Sequence, residues 1–286
     1  MLKKTKQQQN RKAKSNLLPF YLKDYCVGKV HSKFNQGLNL QFEDRLIYIG
    51  RSGTPLSAFG FNIEEEKLLH ILKTVKIDDM VIRKEDHFIF YSFAEIIKIS
   101  SEEAEEIDLK IPQIKCKAEK ISDTALYKYL TNIQFEQSIG IELNEKTKKY
   151  VVLLSTSDKA DLNLNLDIIR FFTGRGKGLT PSGDDILLGF TLCIHLFGDF
   201  PQWKQMLAFA VTNESTTMIS VAYLNALLQG YVSESCIQLV KLLDHGETEQ
   251  IQKKVEQVKS FGHTSGSDTL FGFLLGLNFL IHQWEG

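Results

Sequence analysis

At 286 residues, 43% hydrophobic and 24% charged, the chain has the composition of a soluble globular protein with apolar material for one large domain or two ordinary ones. A net charge of −1 gives no attraction for nucleic acid or a membrane surface, and no run approaches the roughly 20 apolar residues that a membrane span needs. Cys26, Cys116, Cys193 and Cys236 lie far apart without paired spacing, which argues against a zinc ribbon or a dense disulfide framework and fits a reducing cytoplasm.

In chain order, residues 1–16 read as a disordered basic arm, with Lys3, Lys4, Lys6, Arg11, Lys12 and Lys14 in a polar, low-complexity stretch. Leu17-Leu-Pro-Phe20 follows where a signal peptide would have a continuous apolar segment and a small-residue cleavage site, so no signal peptide is expected. From about Tyr25 to Lys115 the apolar period is mostly two. Val27–Phe34, Leu38–Phe42, Arg45–Ile49 and His87–Tyr91 predict antiparallel strands between Gly, Asn and Asp punctuation. Ile63–Val75, with acids at 64–66 ahead of Leu68, Leu69, Ile71 and Leu72, predicts a short helix. The acidic stretch Ser100–Glu106 reads as a solvated connection, and Ser122 opens a helix with good capping residues. Residues 134–157 stay open, since Val151-Val-Leu-Leu-Ser155 suits either a strand or a helix end.

From Pro181 onward the pattern is helical. Gly183–Leu196, Gln202–Gly230, Ser233–Leu243, Thr248–Val258 and Gly266–Trp284 each carry apolar residues at helical spacing. Within the second of these, Thr212–Ser220 is strongly polar and rich in weak helix formers, which suggests a break or a site-facing surface. Cys193, in the apolar run Leu192–Phe197, reads as a core thiol. The expectation is an α+β chain: a β-rich domain over 17–115 and a mainly helical domain over 116–286 that carries two related turns.

Those turns are one motif written twice. Gly178-Leu-Thr-Pro-Ser-Gly-Asp-Asp-Ile-Leu-Leu-Gly-Phe190 aligns with Gly262-His-Thr-Ser-Gly-Ser-Asp-Thr-Leu-Phe-Gly-Phe273 once a gap is placed opposite Pro181. Thr180 then pairs with Thr264, Ser182 with Ser265, Gly183 with Gly266, Asp185 with Asp268 and Gly189 with Gly272. Each copy is a polar loop feeding an apolar helix, so each offers backbone N–H groups at a helix start. Glycines at 174, 176 and 178 permit positive φ and close backbone approach to a ligand. Thr180 suits the N-cap and Pro181 the first helical position, which leaves Ser182, Gly183 and Asp184 to present free N–H groups. Arg175 and Lys177 add positive charge, and the whole reads as an anion cradle for phosphate, phosphoryl or carboxylate. It is not a P-loop, for Gly-Lys-Ser/Thr at the required spacing is missing, and no Rossmann context surrounds it.

His263, flanked by Gly262 and Thr264, is a candidate general acid/base or donor to a developing oxyanion. Asp184, Asp185 and Asp268 can form a carboxylate cluster that binds Mg²⁺ through oxygen, orients His263, or fixes the turns by accepting N–H bonds. Residue types alone leave these roles open.

The strings Gly178–Asp185, Thr216–Leu224 and Gly262–Asp268, in this order, together with Gly28–Phe34, resemble the bacterial family that includes the small subunit of oxamate carbamoyltransferase, from anaerobic allantoin breakdown. The resemblance runs from about residue 25 to the end. It implies phosphorolysis of oxalurate to oxamate and carbamoyl phosphate, or the reverse, by a complex of several different subunits. It points to Gly176, Gly178, Thr180, Ser182, Gly183, Asp184 and Asp185, and to His263, Thr264, Ser265, Gly266 and Asp268. Arg175 and Lys177 make this glycine stretch more basic than the apolar or proline-containing version typical of the family, which suits a phosphate-bearing substrate.

The leading expectation is therefore a cytoplasmic subunit of a carbamoyltransferase-type enzyme. Gly174, Arg175, Gly176, Lys177, Gly178, Thr180, Ser182, Gly183, Thr264, Ser265 and Gly266 would hold a small anionic substrate, while His263 and an aspartate move the proton. Other protein subunits complete the enzyme, and no metal or organic cofactor is required. A Mg²⁺-dependent hydrolase using Asp184, Asp185 and Asp268 is the second reading, and a non-catalytic ligand-binding subunit the third.

Overall fold

A computed structural model describes residues 12–158, 160–198, 200–244 and 247–285. The basic residues before position 12 lie outside them. The chain divides into two compact units. One reaches as far as Lys110 and takes in Tyr231–Glu234; the other starts at Ile111, breaks off at Gly230 and resumes at Ser235.

The first unit is a nine-stranded sheet: β1 (Ala13–Ser15), β2 (Val27–Phe34), β3 (Gly37–Phe42), β4 (Arg45–Arg51), β5 (Gly60–Ile63), β6 (Met80–Lys84), β7 (His87–Tyr91), β8 (Ile96–Ser100) and β9 (Glu105–Ile107), in the order β8-β7-β6-β2-β3-β4-β5-β1-β9. Its ladders are antiparallel except β4–β5 and β1–β9. The period-two pattern works as expected: alternate residues Leu38, Leu40 and Phe42 of β3, Ile47 and Ile49 of β4 and Phe88 and Phe90 of β7 turn into one core. Phe61 stacks on Phe88 there, with ring centroids 5.0 Å apart. The unit also holds α1 (Leu18–Tyr21) and α2 (Glu65–Thr74), the latter seating Leu68 and Ile71 in the same core.

Two expectations fail here for one reason. Ala13–Ser15, assigned to a disordered arm, is a strand between β5 and β9. The acidic stretch at 100–106, read as a solvated connection, contributes part of β9. Lys12 bonds Glu64 at 2.9 Å and Glu103 at 3.2 Å, and the buried Ser15 hydroxyl donates to the Ala58 carbonyl. A basic and an acidic segment that each look solvated alone satisfy one another across a sheet edge.

The second unit is helical: α3 (Ala125–Thr131), α4 (Glu145–Thr156), α5 (Leu162–Phe172), α6 (Ser182–Phe197), α7 (Pro201–Ala210), α8 (Met218–Leu228), α9 (Glu234–Val240), α10 (Thr248–Lys259) and α11 (Ser265–Glu285). The ambiguous Val151–Ser155 belongs to α4, which starts where the Asn144 side chain accepts the Thr147 N–H at 3.0 Å. The helix expected over Gln202–Gly230 breaks into α7 and α8. Its polar interior supplies the reason, since Ser215 Oγ accepts the Thr212 N–H at 2.8 Å and donates to the Ala210 carbonyl, and Thr217 caps α8. None of the helices among the described residues is long and apolar enough to cross a membrane.

α6 and α11 form the centre of this unit. A Cβ at Gly189 would collide with the Thr269 carbonyl oxygen, and one at Gly272 with that of Ile186, so the two helices meet backbone to backbone. Gly276 lies against Cys193, a fully buried core thiol that burial pushes up in pKa. Gly272→Ala should therefore destabilise the fold by about 1–3 kcal/mol through overpacking. Urea denaturation will report this as a lowered midpoint, and an unchanged midpoint would contradict so close an approach.

Candidate functional site

The repeat in the sequence is also a repeat in structure. α5 ends at Phe172, Gly174 takes φ +68°, and Gly183 in the first turn of α6 lies on the Phe172 carbonyl with no room for a Cβ. In the same way α10 ends at Lys259, Gly262 takes φ +67°, and Gly266 in the first turn of α11 lies on the Val258 carbonyl. Both copies are thus helix, left-handed glycine, polar turn, helix. Their polar starts meet: Thr180 Oγ1 and Ser265 Oγ are 2.7 Å apart, and Gly140 is packed so tightly between Ser182 and Thr264 that a side chain would strike both hydroxyls.

Of the three N–H groups expected to form a backbone cradle, those of Gly183 and Asp184 are already taken up within the chain. Gly176 and Gly178, at φ +123° and +95°, help fold the loop back over the start of α6. The Gly183 N–H donates to the Arg175 carbonyl at 2.8 Å, and those of Asp184 and Asp185 donate to Pro181 at 2.9 and 3.3 Å. At the second start, the Gly266 N–H donates to the Phe261 carbonyl at 3.0 Å. Pro181, not Thr180, occupies the N-cap position, because the Thr180 hydroxyl is engaged by Ser265. The chain closes its own helix ends, so no N–H of Gly183, Asp184 or Gly266 is left to receive an anion.

The three aspartates lie inside this seam at 2%, 7% and 0% exposure for Asp184, Asp185 and Asp268, so none is a solvated dipole partner. Asp184 is fully engaged: Oδ1 accepts the Gly174 N–H at 2.8 Å and Oδ2 accepts the Thr216 hydroxyl, which ties the α5–α6 turn to the α7–α8 break. Asp268 Oδ1 accepts the Gly140 N–H at 2.9 Å. Asp185 Oδ2 and Asp268 Oδ2, by contrast, have no hydrogen-bond partner, and neither does the buried Ser220 hydroxyl.

Burial raises the pKa of all three, most for Asp185, which the charges of Asp268 and Asp184 push further upward. Hydrogen-bond donors from both copies oppose the shift: Ser265 and Thr180 favour ionisation of Asp185, and the Gly140 N–H, Thr264 and Ser182 favour that of Asp268. These hydroxyls lie close to the carboxylates without reaching either Oδ2 at hydrogen-bonding geometry. No lysine or arginine among the described residues pairs with the three acids. Nor do three His, Cys, Asp or Glu side chains among those residues converge as a metal-binding group.

His263 stands exposed in the α10–α11 turn, and none of the three carboxylates hydrogen-bonds it. Arg175 is exposed too, yet held: its Nε donates to the Phe171 carbonyl at 2.7 Å and its guanidinium lies 4.0 Å from the centre of the Phe171 ring. The opposite face of that ring stacks on Tyr150, with centroids 3.8 Å apart, and Lys146 Nζ lies 5.8 Å from it. Neither cation has a carboxylate partner among the described residues, and Lys177, two residues after Arg175, is exposed. Sequence reasoning missed Gly140, Lys146, Tyr150 and Phe171, whose surroundings carry no motif. The polar stretch at 212–220 did mark Thr216 and Ser220.

These features define a class: a helical domain whose duplicated helix–turn–helix brings buried acids and hydroxyls together at one seam. Residues 172–277, from the end of α5 into α11, match the family model described as oxamate carbamoyltransferase subunit AllH, which supports the chain's membership of that family. No solved structure matches the chain.

The raised carboxyls give a pH dependence of definite sign. They keep protons in the folded chain where the unfolded chain has released them, so their contribution to stability falls as pH rises from the ordinary aspartate value of about 3.9. Asp185→Asn should be at least as stable as the parent at neutral pH and show a flatter stability profile through the acid range. Denaturation at a series of pH values checks this; identical slopes in parent and variant would contradict a raised Asp185.

Proposed function

We propose that the chain is a subunit of a carbamoyltransferase that interconverts oxamate plus carbamoyl phosphate with oxalurate plus phosphate, working with other protein subunits in the cytoplasm. The family match over the segment that carries both turns supports this reading, and its free cysteines suit a reducing compartment. The observation that carries the site is Arg175: a guanidinium fixed by stacking and by its Nε, with the outer fork uncommitted. An immobilised guanidinium without a carboxylate is an anion receptor, since its planar donors match phosphate or carboxylate oxygens and little rotamer entropy remains to be lost. Lys146, 5.8 Å from the centre of the same Phe171 ring, supplies further positive charge on that side. The anion is thus held by side chains in place of the backbone N–H groups.

In the phosphorolytic direction a phosphate oxygen bonds to the carbamoyl carbon of oxalurate. The C–N bond to the oxamate nitrogen breaks, and that nitrogen takes up a proton. His263, exposed and uncommitted in the second turn, is the imidazole that delivers it. Positioning and charge stabilisation supply the remainder of the barrier lowering.

The chain, isolated with the subunits that accompany it, should form carbamoyl phosphate from oxalurate and phosphate. Arg175→Ala should raise KM for phosphate about tenfold or more, and His263→Ala should lower kcat about 100-fold without moving the melting temperature. No carbamoyl phosphate from the intact complex would overturn the proposal. Hydrolysis abolished by chelation would instead support a metal-dependent enzyme.

A further inference from the structure

Asp185 Oδ2 and Asp268 Oδ2 are buried acceptors without donors, contributed by equivalent positions of two helices that face each other. Acceptors left unpaired in a protein interior are costly, and most native ones have a partner. No basic side chain among the described residues pairs with these acids. Thr180 and Ser265, beside Asp185, are hydrogen-bonded to one another at 2.7 Å, and Ser182 and Thr264 lie beside Asp268. None of these hydroxyls meets either Oδ2 at hydrogen-bonding geometry, so both oxygens keep an acceptor position open. Thr180 and Ser265 themselves are only half-buried.

We infer that Asp185 and Asp268 bind the carboxamide NH₂ group of the substrate. This rests on the carbamoyltransferase reading, and it adds the group by which the substrate is recognised. An –NH₂ presents two N–H donors and no charge, which matches two free acceptors one for one. Oxamate and carbamoyl phosphate share this plan, a carboxamide or carbamoyl NH₂ at one end and an anion at the other. One seam can therefore read either molecule, with the anionic end left to a cation such as Arg175. A site that hydrogen-bonds an NH₂ rejects an analogue that lacks it, because the carboxylates are then buried unpaired.

Pyruvate is that analogue, since it has a methyl group where oxamate has NH₂ and is otherwise isosteric. With the intact complex turning over oxalurate and phosphate, oxamate should inhibit at least about tenfold more strongly than pyruvate. Asp268→Asn keeps an oxygen for the Gly140 N–H and places an amide NH₂ where Oδ2 stood. It should weaken inhibition by oxamate about tenfold while leaving pyruvate unchanged, and Asp185→Asn should do likewise. Equal inhibition by oxamate and pyruvate in the parent enzyme would overturn the inference and leave the carbamoyltransferase reading intact. So would Asn variants that weaken both inhibitors alike, the mark of a structural role. Failure of the parent complex to turn over oxalurate would overturn both.

Discussion

The helical unit depends on one contact, the backbone-to-backbone packing of α6 against α11 at Gly189 and Gly272. With no side chain at either position, a carbonyl of each helix lies where a Cβ of the other would stand. That spacing sets the distance between the two polar turns at the helix starts. Thr180 reaches Ser265, and Gly140 fits between Ser182 and Thr264, because the helices below are held this close. The same device recurs at the two turns: Gly183 and Gly266 let each helix start rest on the end of the helix before it. Four small residues thus fix two hairpins and their mutual register.

Such a seam places carboxylates where water cannot solvate them. Three acids without a basic partner in a protein interior are expensive unless each charge is neutralised or met by donors. Asp184 is met completely, by a backbone N–H and a hydroxyl, and it joins two loops. Asp185 and Asp268 are met only in part. The difference separates Asp184, which ties two loops together, from Asp185 and Asp268, each of which keeps an oxygen without a partner, although all three belong to one motif. Sites kept less than fully satisfied in this way are a familiar origin of the conflict between stability and function.

The glycine-rich turn before α6 shows a second principle. A helix start preceded by glycines is commonly a phosphate site because its N–H groups are free. Here positive-φ glycines carry the loop back, and the carbonyls of Arg175 and Pro181 take up the N–H groups of Gly183, Asp184 and Asp185. Positive charge enters instead through Arg175, held on a Phe171–Tyr150 stack that no motif announces. Aromatic stacking and a single carbonyl do the orienting that a bidentate acid would do elsewhere, and they leave the guanidinium fork open.

Much of this was legible beforehand. Period-two patterning located the main strands, helical spacing and the paired glycines located α6 and α11, and the duplicated turn located the seam, since each is a local property of consecutive residues. Other features were beyond local reading. Ala13–Ser15 looked disordered because its acidic complement lies some 90 residues away, Thr180 looked like an N-cap because Ser265 was not beside it, and Lys146 and Tyr150 of α4 meet Phe171 of a different helix, α5. The amino-acid sequence by itself determined which residues could meet: small ones at the helix crossing, hydroxyls and acids at the starts. Only the tertiary structure decided which donor each acceptor received, and so which carboxylate oxygens were left without one. Hydrogen-bond satisfaction is settled by neighbours in space, and a motif specifies only neighbours in sequence.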